Sequence, residues 1–198
     1  MNNRISGLTL AYHGCDRSVG ELVLAGKTEL VASRNSYDWL GHGIYFWEYN
    51  AKRAIYFARS MELAHRKGKT KIKEPMVIGA VIDLGVCLNL LDSNRIDELS
   101  GAYANLVKLY QNIERPLPVN RTFRGSTDLL MRHLDCAVIE LLHQMRADEN
   151  KPAFDSARGV FVEGKPIYPG AAIHQYNHIQ ICVRNPACIR GYFRVRDE

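Results

Sequence analysis

The run MVIGAVIDLG, residues 76–85, is nearly all apolar and rich in β-branched residues, which marks it as the best buried strand of the chain. The remaining elements fall around it. GLTLAYHG (7–14) alternates toward a strand and stops at a glycine. DRSVGELVLAGK then offers Asp16 as an N-cap, Val19, Leu22 and Val23 on one face, and Gly26 as a stop. Residues 27–42 read as loop and 43–47 as strand. Asn50 caps a helix that runs to about residue 66, with Ala54, Ile55, Ala58 and Met61 on its apolar side.

The middle of the chain is more helical. Asp92 caps a stretch carrying Ile96, Leu99, Tyr103, Leu106 and Tyr110 at helical spacing, and the prolines at 116 and 118 force a loop. Ser126 opens a second long helix through STDLLMRHLDCAVIELLHQM. GVFVEG, HIQICV and CIRGYFRV follow as strands, the last two joined by RNPA. Strands gathered toward the end predict an α+β fold with largely antiparallel pairing, rather than a doubly wound sheet.

The length of 198 residues suits one domain spanning 1–198. No window approaches the roughly 18 apolar residues of a membrane helix. The start, MNNRISGLTLAYHG, lacks the apolar run of a secretory signal, so a cytoplasmic location is expected. Five cysteines, odd in number and without a CxxC pair, argue against a disulfide framework and a structural zinc site. The net charge of +5 favours approach to an anion such as a nucleotide, RNA or DNA. The densest basic run, HRKGKTKIK (65–73), reads as a solvated helix end and turn.

Familiar nucleotide signatures are absent: there is no GxGxxG after a strand and no GxxxxGK[ST]. His133, Cys136, Glu140 and His143 fall near one helical stripe, but without HExxH an amphipathic helix explains them better than a metal, and none is expected. His13 ends a strand just before Gly14, where a backbone can approach a ligand closely. Tyr45 centres the strand in GHGIYF, and Tyr56 follows eleven residues later.

Taken together, YHGC (12–15) followed by a helix and then GHGIYFWEYNAKRAIYF (41–57) resemble the ADP-ribosyltransferase superfamily, most closely its diphtheria-toxin/poly(ADP-ribose)-polymerase branch. The resemblance implies a split antiparallel β-sandwich, two twisted sheets with surrounding helices and NAD in the cleft between them. It implies that His13 bonds a ribose of NAD, that the Gly14 backbone holds the nicotinamide carboxamide, and that Tyr45 and Tyr56 sandwich the nicotinamide ring. A flat ring between two aromatic faces suits such a pair. Arg53 stands where many members carry a serine, and reaches the cofactor phosphates or faces solvent.

The family's third element is a late strand bearing a glutamate. Aligning NPA of QICVRNPACI (180–189) puts Gln180 there, an H-Y-Q variant of the H-Y-E signature; aligning YNH (176–178) with the family's YNE puts His178 there instead. The first register is preferred, with His178 two residues earlier on the same strand face, aimed at the acceptor, and Glu163 as a third candidate in a loop. Loss of the glutamate argues against chain elongation and fits single transfer, or loss of activity. The resemblance thus implies NAD-dependent mono-ADP-ribosyl transfer, with NAD as substrate and no metal. The acceptor would be a macromolecule, nucleic acid (RNA) favoured over protein on account of Arg115, Arg121, Arg124, Arg184, Arg190, Arg194 and Arg196 with Phe123, Tyr192 and Phe193 among them. By the same likeness a small transferase could serve as a toxin of a bacterial conflict or toxin–antitoxin system, with an antitoxin or immunity protein as partner. An NAD glycohydrolase and a catalytically silent NAD- or nucleic-acid-binding module stay open.

Overall fold

The computed structural model describes residues 7–63, 72–122 and 128–196. The far end of the helix expected to run to 66, most of the basic run, Phe123, Arg124 and Ser126 lie outside them. Among the described residues no helix is long and apolar enough to cross a membrane.

The chain folds as α+β. Strand β1 (Leu8–Asp16) leads into α1 (Arg17–Leu24), where Asp16 accepts the Ser18 N–H as N-cap. Strand β2 (Ile44–Glu48) precedes α2 (Ala51–Leu63), whose first turn is held by the Arg53 N–H on Asn50 Oδ1 at 2.9 Å. Then come β3 (Pro75–Asp83), the short β4 (Cys87–Asn89) and α3 (Ser93–Asn112), with Asp92 as its N-cap. Helix α4 (His133–Asp148), β5 (Ser156–Phe161), β6 (His178–Val183), a 3₁₀ turn (Pro186–Cys188) and β7 (Ile189–Arg194) complete it.

Helix α4 begins seven residues after the expected start at Ser126. Met131 is instead bound through both its N–H and C=O to Arg121, which holds 131 out of helical geometry. The cap comes from a distant segment: Asn120 Oδ1 accepts the N–H groups of Leu134 and Asp135.

Among the described residues seven strands form one sheet in the order β4-β5-β6-β2-β1-β3-β7, antiparallel except for β4 beside β5. The expectation of two separate sheets is therefore corrected, since hydrogen bonding runs through all seven strands. One junction is thin. β1 pairs with β3 at nine positions but with β2 at only two, Ala11↔Glu48 and Tyr12↔Trp47, after which the two strands part. β6 and β7, joined by RNPA, are not neighbours; the connection crosses β2, β1 and β3.

Alternation sorts the side chains between two cores. Ala11, Phe46, Ile78, Ala80, Ile82 and Ile181 face α1, whose Val23 joins them. On the other face Ala157, Phe161 and Cys182 pack with Leu106 of α3 and Ile139 and Leu142 of α4. Further along that second face α2 lies over β1: a Cβ at Gly14 would sit 2.3 Å from the Ala54 carbonyl oxygen, so only glycine admits the helix this closely. The second face between α4 and α2 carries Tyr45, Trp47 and Gln180.

Candidate active site

The parting of β1 from β2 is where His13 acts. Its Nδ1 donates across the gap to the Tyr45 carbonyl at 2.8 Å, so the proton resides on Nδ1 and Nε2 is left as an acceptor with no protein partner among the described residues. Burial lowers its pKa below the ordinary value, against the opposing bond to Tyr45, which keeps the ring neutral at pH 7.

Tyr45 is tied down at both ends. Its hydroxyl donates to the Gly41 carbonyl at 2.7 Å and accepts the Leu40 N–H at 2.8 Å, and burial raises its pKa well above the ordinary value. The GHG turn is thereby fastened to the strand. Gly41 needs its lack of a side chain: its φ is +76°, and a Cβ would meet Glu140 Oε1 at 2.5 Å. Glu140 in turn accepts the His42 N–H and Arg184 Nη1, at 2.8 and 2.7 Å. The stripe considered for a metal is thus distributed among other tasks, with Cys136 buried and His133 3.2 Å from Ser36 Oγ.

Gln180 lies opposite Trp47 in register, so the two side chains share the face that Tyr45 shares. It is only 9% exposed, yet its amide has no hydrogen-bond partner among the described residues. His178 is on the same face, as expected, but enclosed: its side chain is fully buried, ringed by Phe161, Trp39 and Trp47. Its Nδ1 donates to the Tyr176 carbonyl at 2.6 Å, and burial lowers its pKa.

From α2, Tyr56 is 40% exposed and borders an open groove of about 830 Å³. Tyr45 and Tyr56 make no ring contact with one another. Arg53 is partly buried at the edge of that groove. Its guanidinium ion-pairs with Glu163 and lies over the rings of Trp47 and Tyr176, at 5.9 and 5.2 Å from their centroids. Glu163 follows β5 in a loop but is 4% exposed. The structure therefore brings His13, Tyr45 and Gln180 onto three neighbouring strands and puts Arg53 with Glu163. Trp47, Tyr176 and the Arg53–Glu163 pair escaped sequence reasoning. Trp47 was accessible in principle, as the i+2 neighbour of Tyr45 on one strand; the partners of Arg53 were not.

Three of the arginines read as phosphate contacts have carboxylate partners. Arg184 pairs with Glu140, Arg190 with Asp83 and Arg194 with Glu21, so each carries its own carboxylate. Lys52 and Arg59, beside Tyr56 on the groove, make no ion pair among the described residues. Comparison with family models, with curated proteins and with solved structures returned no match.

Proposed function

We propose that the chain is an NAD-dependent mono-ADP-ribosyltransferase. One observation carries this reading: His13, Tyr45 and Gln180, separated by up to 167 positions, stand on adjacent strands β1, β2 and β6 where the sheet is least joined. His13 presents an acceptor nitrogen suited to a ribose hydroxyl, and Gln180 presents an amide without a partner among the described residues. Tyr45 and Tyr56 would hold nicotinamide as the leaving group. Its bond to C1′ breaks first, the electron pair going to the departing ring nitrogen. A nucleophile on the acceptor then joins C1′ and gives up its proton. Gln180, through its amide oxygen, would orient the ribose while that positive charge develops.

The test is incubation with NAD labelled in its adenylate half and a cell lysate, measuring nicotinamide release and following the label through separate protease and nuclease digestion. Transfer predicts nicotinamide together with bound label. Nuclease-sensitive label identifies a nucleic acid acceptor, protease-sensitive label a protein. Free ADP-ribose alone means that water captures the cation. Binding of NAD with no nicotinamide released would reject the transferase reading.

A further inference from the structure

Six buried side-chain polar atoms lack a hydrogen-bond partner among the described residues, and three belong to one neighbourhood: Trp47 Nε1, Arg53 Nε and His178 Nε2. The rings of Trp47 and His178 are 6.4 Å apart, and Arg53 lies over Trp47. The unpartnered amide of Gln180 stands directly across from Trp47 and two residues along from His178. Buried polar groups are almost always bonded, so such a concentration marks a place where a ligand or water belongs. Arg53 is also poorly seated beside its peers. Arg158 binds Glu48 through Nε and Nη2 together, and Arg146 uses Nε, Nη1 and Nη2 on Pro152 and Glu98, whereas Arg53 reaches Glu163 through Nη2 alone. Arg53 and Glu163 both line the groove that opens beside Tyr56.

We propose that the Arg53–Glu163 pair is a latch over a polar pocket walled by Trp47, His178 and Gln180, and that a ribose diol takes these walls when Arg53 swings into the groove. The ligand class follows from the inventory of donors and acceptors. Trp47 Nε1 only donates; the Nε2 of neutral His178 only accepts, because its Nδ1 proton is bound by Tyr176; Gln180 does both. Adjacent hydroxyls, each able to donate and accept, complement that set. A phosphate, which only accepts, would leave His178 unmet. The assignment of this ribose to NAD rests on the transferase reading; the latch does not.

Two measurements separate them. The first is iodide quenching of the tryptophan fluorescence that disappears in Trp47→Phe, recorded without ligand. Trp47 is 4% exposed, so it is shielded in the parent and becomes quenchable in Glu163→Gln and in Arg53→Ala, with circular dichroism confirming that each variant is folded. The second is calorimetric titration with ADP-ribose. Removing the latch tightens binding about tenfold, as expected for a competent state populated near one part in ten, and Trp47→Phe weakens it. If ADP-ribose binds parent and latch variants equally and Trp47 stays shielded, the latch is wrong and the transferase reading survives. If Trp47 becomes accessible but ADP-ribose binds none of the proteins, the ribose pocket and the transferase reading fall together.

Discussion

Tyr45 carries two tasks that one substitution separates. Tyr45→Phe keeps the ring but strands the Leu40 N–H inside the protein, since Leu40 is fully buried. The expected loss is about 1–3 kcal/mol in urea unfolding, with NAD cleavage retained once the variant is folded. Tyr45→Ala also removes the stacking face and should abolish nicotinamide release; turnover like the parent's would make Tyr45 a core residue only. Gln180 allows a sharper test, because its amide has no partner among the described residues to lose. Gln180→Ala should lower NAD cleavage by about 10²–10³, and Gln180→Glu should keep or raise it by restoring a carboxylate. An active Gln180→Ala beside a dead Gln180→Glu would take the role away from this position.

Among the elements, α2 matters most to the site, because it carries both Arg53 and Tyr56 while resting on β1 at Gly14. Gly14→Ala would drive a methyl into the Ala54 carbonyl, and backbone cannot yield as a side chain does. A destabilisation of about 1–3 kcal/mol is expected, with α2 displaced from β1. The resemblance gives Gly14 a carboxamide-binding role, and packing alone already demands glycine there. Thermal unfolding of Gly14→Ala at the parent's midpoint would show that α2 tolerates the methyl and leave ligand approach as the reason. The two-position junction of β1 with β2 is the other elemental feature of note. His13 spans the opening with a side-chain bond where ladder bonds have ended, so one residue both bridges the gap and presents Nε2 beside it.

At the scale of the whole molecule, burial holds three histidines uncharged: the pKa values of His13 and His178 are lowered, and that of His143 falls to about 4, chiefly by burial and then by Arg184. Each folded value lies below the ordinary 6.5, so the unfolded chain binds more protons as the pH drops. Their contribution to stability is complete above pH 6.5 and falls as the pH drops below it, for His143 down to about 4. From His143 alone the fall between pH 7 and pH 5 should be about 1–2 kcal/mol, or roughly 2–8 °C in Tm for a chain of this size. Calorimetry of parent and His143→Gln would show it, as a shallower acid limb in the variant. An identical limb would mean that His143 titrates normally.

Helix starts at Asp16, Asn50 and Asp92 were legible in the sequence because a cap binds within three residues of itself. The strands HIQICV and MVIGAVIDLG were legible for a similar reason, their burial being written in consecutive residues. Where the determining partner is distant, local reading failed. The start of α4 is set by Asn120 and by the Arg121–Met131 bridge, and the parallel strand β4 exists only beside β5. His13, Tyr45 and Gln180 could be named from the sequence through a family resemblance. Their placement on neighbouring strands, the enclosure of His178 and the pairing of Arg53 with Glu163 across 110 positions were decided by the tertiary structure alone. Spacing along a chain records which face a residue takes, but contact between remote segments depends on which surfaces bury one another, and only the folded packing selects that.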